Sequence, residues 1–212
     1  IGGKTFPLPK PFLVMATQNP IENEGVYPLP EAQRDRFLFK INVGYPTPEE
    51  EREIIYRMGV KPPEPKQILN TEDLLHLQDV AANVFVHHAL VDYVVRIVTA
   101  TREPEKFGMP DAKAWIAYGA SPRASLGIIS ASRALALVRG RDYVIPQDVV
   151  EVIPDVLRHR LVLTYDALAD EISAETVVNR ILQTVALPQV NAIPQQGHSV
   201  PPVMAGAAAT GR

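Results

Sequence analysis

The run Phe12-Leu13-Val14-Met15-Ala16-Thr17 constrains this chain most, because it is short, almost continuously apolar and stops at polar Gln18-Asn19-Pro20. A run of that length without alternation fits a strand covered on both faces, as in the parallel sheet of an α/β layer. A second strand is expected where Phe37, Phe39, Ile41 and Val43 alternate with Leu38, Lys40 and Asn42. Between the two, a loop passes Gly25 and Tyr27 on its way to Pro30. Residues 30–36 then read as a short helix, with proline at its first position and Glu31 near the positive end of its dipole.

From Thr47 the pattern turns helical. Thr47-Pro48-Glu49-Glu50 is a capping box opening a helix to about Met58. Residues 61–66 hold three prolines and read as a linker. Asn70 or Thr71 caps the next helix, and residues 88–102 form another with Leu90, Val94, Ile97 and Val98 on one stripe. Ser121-Pro122 starts a helix whose Ala124, Ile128, Ala131, Leu135 and Val138 share a face before Gly140 stops it. Helices over 146–158 and 174–185 complete an all-helical part. From Pro188 the chain is rich in proline, glutamine, glycine and alanine with almost no charge or aromatics, which predicts a disordered tail. The organisation expected is therefore 1–46 as part of an α/β core, 47–187 as a linker helix and helical domain, and 188–212 as tail.

Three side chains stand out chemically. Asn19 follows a strand end, where open α/β sheets bind ligands, and an amide there can orient a water against a phosphate. The plain alternative is that Asn19-Pro20 is turn chemistry. Arg36 closes the short helix, with Arg34 two residues earlier. Such guanidiniums are either solvated and paired with neighbours such as Glu31, or offered to a phosphate on another subunit. Arg123 lies in the first turn of its helix, where the dipole disfavours a cation, so it meets either an anion or a nearby carboxylate. Gly2-Gly3-Lys4-Thr5 mimics the end of a phosphate-binding loop, but Phe6-Pro7-Leu8-Pro9 cannot supply the helix that motif requires. His87 and His88 are adjacent and so expected to point apart, and His159 has no partner at ligand spacing, so no metal site is expected.

These segments occur in a recognisable order. Residues 11–20 and 24–37, the latter reading Glu-Gly-Val-Tyr-Pro-Leu-Pro-Glu-Ala-Gln-Arg-Asp-Arg-Phe, closely resemble the MoxR family of AAA+ ATPases. Residues 118–124, 140–149 and 156–160 are similar to the same family's lid segments, so the likeness runs from about residue 1 to 188. The resemblance implies the C-terminal part of a P-loop αβα core followed by a helical lid. It also implies that Asn19 is the sensor 1 amide, Arg36 the arginine finger acting in trans (Arg34 in reserve), and Arg123 the sensor 2 arginine of the lid. By the same resemblance the protein binds ATP with Mg²⁺ and forms a homo-oligomeric ring, usually a hexamer. It acts in the cytoplasm as a chaperone on protein clients, often with von Willebrand A-domain partners. The phosphate loop and the acidic Mg²⁺ strand have no counterpart in these residues. They are expected upstream of Ile1, where a start without Met also points, and these 212 residues alone are not expected to hydrolyse ATP.

Composition bears on the rival readings. A net charge of -3 and the lack of a basic-aromatic stripe disfavour a nucleic-acid motor of the same fold. No apolar run reaches membrane-spanning length, and the absence of cysteine excludes disulfides and thiolate chemistry. A non-catalytic lid or adaptor module is the remaining alternative.

Overall fold

The computed structural model describes residues 2–18, 29–59 and 64–190. After the one-turn helix α1 (Glu31–Arg34) come α2 (Pro48–Met58), α3 (Thr71–Asn83) and α4 (His88–Ala100). A 3-10 turn (Pro104–Phe107), α5 (Ala112–Trp115), strand β1 (Ile116–Tyr118), α6 (Pro122–Val138) and α7 (Pro146–Leu157) follow. The remainder is β2 (Val162–Leu163), α8 (Tyr165–Ala169) and α9 (Ala174–Thr184).

The helix boundaries follow from their caps. Thr47 accepts from the Glu50 amide while Glu50 accepts from the Thr47 amide, and Asn70 and Asp73 repeat the reciprocal pair. Ser121 caps α6, and Gly140 ends it in the left-handed conformation (φ 71°) that glycine adopts without strain. The expected stripe Leu90, Val94, Ile97 and Val98 is buried on α4. On α6 the buried set is Ala124, Gly127, Ile128, Ala131, Ser132 and Ala136. Those are mostly small residues, and they let α7, α4 and α3 pack against this central helix. Val138, expected on that face, is 84% exposed because it is the last residue of α6 and projects past the packed region.

The core lies between Val84 and Val185, and no described residue before Val84 is buried. The part expected to be all-helical also holds a two-stranded antiparallel sheet, pairing Ile116 with Leu163 and Tyr118 with Val162. Val190, within the stretch expected as tail, packs against the core, and residues 191–212 lie outside those described.

The two expected core strands, residues 12–17 and 37–43, join no sheet among the described residues. A strand is defined by the ladder of a neighbour, and neither segment has one here. Phe12, Leu13, Val14 and Met15 are all more than half exposed. The second segment satisfies its backbone differently: the Lys40 amide donates to the Asp155 carbonyl at 2.9 Å, and side chains from the end of α7 take up its carbonyls.

Candidate functional site

The turn after α1 is gripped by the turn after α7. Arg160 is 97% buried by side chain, and it extends its fork along residues 35–38. Its Nη2 donates to the carbonyls of Asp35 (3.2 Å) and Phe37 (2.6 Å), and its Nη1 to that of Leu38 (3.0 Å) and of Val156. His159 Nε2 lies 2.9 Å from the same Phe37 carbonyl, so it carries the proton and donates. Burial, with the nearby Arg160 charge, pulls the His159 pKa below its ordinary value despite that hydrogen bond, and the shift favours the neutral ring. Arg158 extends the grip by donating to the Lys40 carbonyl at 2.6 Å and pairing with Asp155 and Glu175.

The Asp35 carboxylate is the meeting point. It accepts from the Ser121 hydroxyl (2.9 and 3.1 Å to its two oxygens), from Arg123 Nη1 (3.2 Å) and from Arg160 Nε (3.1 Å). Burial works to raise its pKa, but the hydrogen bonds from Ser121 and Arg123 and the Arg160 charge outweigh that and hold it below the usual carboxylate value. Ser121 serves both sides, because its hydroxyl also accepts from the Arg123 amide at 3.2 Å and so caps α6.

Ser121 is itself fixed from behind. The Ala120 amide donates to the Thr101 hydroxyl (2.9 Å) and Arg102 Nε donates to the Ala120 carbonyl (2.7 Å), tying the start of α6 to the end of α4. Two ends of the core thus converge on one carboxylate.

Of the residues singled out from the sequence, Asn19 lies outside the described residues. Arg123 meets a carboxylate, as one of its two readings required, and its side chain remains 56% exposed. Arg34 is half-buried and lies 4.0 Å from Glu31. Arg36 is exposed at an open depression lined by Leu29, Ala32, Gln33 and Phe37, and it pairs with nothing among the described residues. Sequence reasoning missed Asp35 and Arg160 as site residues. The available signal was an aspartate set between two arginines, and a dense Arg-His-Arg run directly after an apolar helix.

Comparison with known proteins accounts for both halves of this arrangement. Residues 1–39 match the model of the ATPase family associated with various cellular activities, and residues 111–181 match the AAA lid domain. The class is therefore an AAA+ ATPase, here the C-terminal part of the core joined to a helical lid. The chain is 83% identical over its whole length to Chaperone MoxR1 of Mycobacterium tuberculosis, covering 56% of that protein. It is 40% identical to the uncharacterised YeaC of Bacillus subtilis (89% of this chain, 57% of that one) and 33% identical to Protein MoxR of Paracoccus denitrificans (71% and 48%). A candidate ATPase of known crystal structure from Cytophaga hutchinsonii superimposes with a TM-score of 0.84 at 40% identity, over 89% of this chain and 58% of that one. The chain belongs to the MoxR family of AAA+ ATPases, and it spans about half the length of the curated relatives it matches.

Proposed function

We propose that these residues operate in a ring-forming MoxR-type ATPase that hydrolyses ATP at subunit interfaces and uses the cycle for chaperone-like maturation or assembly of protein complexes. Residues 1–46 belong to the core and 47–187 to the linker helix and lid. In this reading Arg123 addresses the phosphates of its own subunit's nucleotide, Arg36 those of a neighbour's, and Asn19 orients the attacking water. The observation that carries it is the contrast between the arginines: Arg36 is exposed with no partner among the described residues, while the peptide that bears it is fastened to the lid. A guanidinium with no partner among the described residues, carried on a held backbone, is suited to a phosphate from outside the subunit.

Arginine forks suit a triphosphate, which supplies the bond to be broken. Among the described residues no group of three or more His, Asp or Glu gathers to hold a metal. We assign the phosphate-binding loop and the Mg²⁺ ligands to sequence outside these 212 residues. A hexameric homo-oligomer, cytoplasmic location and a von Willebrand A-domain partner complete the proposal. No helix among the described residues is long and apolar enough to cross a membrane.

The test is turnover by the full-length protein. Arg36→Ala is expected to leave ATP binding nearly intact and to lower kcat by about 10³-fold or more, as for arginines supplied in trans. If Arg34→Ala gives that loss and Arg36→Ala does not, Arg34 is the finger. If neither does, the reading of this edge is wrong.

A further inference from the structure

Asp35 has two arginine partners, and they are not equivalent. Arg160 is almost wholly buried, and its fork is committed to Asp35 and four backbone carbonyls. It cannot leave without stranding a buried cation. Arg123 is more than half exposed, holds Asp35 through one nitrogen at 3.2 Å and has no other acidic partner among the described residues. Its contact can be exchanged without freeing Asp35, because Ser121 and Arg160 remain on the carboxylate, yet its departure takes away one of the three groups that hold it. The residue so held is covalently next to Arg36.

We infer that Asp35 is a positioning residue that parks Arg123 while no triphosphate is bound, and that release of Arg123 to the phosphates alters the hold on the turn presenting Arg36. One aspartate then links the subunit's own site to its neighbour's. This rests on the reading of Arg123 and Arg36 as phosphate-directed. A phosphate must compete with the carboxylate for the guanidinium, so the apparent affinity for ATP is reduced by the parked fraction.

The prediction is opposite to that for a structural aspartate. Asp35→Asn keeps the shape and an acceptor oxygen for Arg160 and Ser121 but removes the charge that holds Arg123. In the full-length protein it is expected to tighten ATP about fivefold, the factor one partly exposed ion pair supplies, while kcat falls. With Arg123→Gln already in place, Asp35→Asn should leave ATP affinity unchanged. A merely structural role predicts weaker binding in both backgrounds, and that result overturns the inference, as does equal tightening in both.

A readout on the wild-type protein needs no substitution. Hydrogen exchange at the Arg36 and Phe37 amides, which bond Gln33 and Arg34, should rise with a non-hydrolysable ATP analogue and not with ADP. Equal exchange with both overturns the inference. If instead Arg123→Gln alone fails to weaken ATP relative to ADP, the underlying reading of Arg123 has failed, and the two failures are thereby distinguished.

Discussion

Gly119 lies so close to Thr101 that a methyl built on its α-carbon would sit 2.4 Å from the Thr101 carbonyl oxygen. The contact is backbone against backbone, so no side-chain rotation relieves it. Thr101 also donates from its hydroxyl to the Val98 carbonyl at 2.6 Å and accepts from the Ala120 amide, so it cannot move freely.

Gly119→Ala is therefore expected to cost about 1–3 kcal/mol, the range for forced overpacking, and to lower Tm by several degrees. It should also disturb the Ser121 cap two residues on. Gly44→Ala is the control: nothing lies within 4 Å of its added methyl. Thermal unfolding of the two variants separates them, and equal Tm values would refute the close approach.

Asp148 is wholly buried and receives Arg141 through both nitrogens (2.6 and 2.7 Å), Arg139 at 3.1 Å and the Ile145 amide at 2.9 Å. Asp148→Asn should destabilise by about 2–3 kcal/mol, less than for fully buried pairs because both guanidiniums reach solvent. Arg52→Ala, which breaks an exposed pair with Glu49, should change little. Denaturant midpoints at constant slope are the measurement.

Stability should fall with acid in two stages. Burial disfavours the charged forms of Asp35 and Asp148, yet their donors win, so both are held below their ordinary values. Groups shifted that way stabilise fully above the unfolded value of about 3.9 and lose the contribution as pH drops through the folded value. His159 is shifted down as well, chiefly by burial, so its contribution declines as pH falls from about 6.5 toward its folded value. Tm measured from pH 7 to 3 should slope gently and then steeply. His159→Asn should flatten the first stage and Asp148→Asn the second.

Thr47→Ala removes one arm of a capping box and should cost α2 about 1 kcal/mol. Because α2 buries no residue in the core, the loss should appear as faster amide exchange in residues 48–58. Unfolding of the 84–185 core should be unchanged.

The longer helices were legible because their ends are written locally: Thr47 with Glu50, Asn70 with Asp73, Ser121 before Pro122, whereas the one-turn helices α5 and α8 are too short to show a periodicity and were not foreseen. The β1–β2 pairing was not legible either, since strands of three and two residues carry no periodicity and are separated in the chain by α6 and α7. Arg36 and Arg123 could be singled out by residue type and position. Asp35 was visible only as an aspartate between two arginines, and its role was not, because what defines it is contact with Ser121 and Arg160, 86 and 125 residues away. Residues 12–17 and 37–43 have the composition of strands, but a ladder is a property of two segments.

Arg160 holds residues 35–38 by their main-chain oxygens, which every amino acid possesses. The hold is therefore indifferent to what is mounted at position 36. Lysine, glutamine or alanine placed there would project from the same spot with the same backbone. A series of replacements at that single position would then report on the group presented, uncontaminated by a change in where it is presented from.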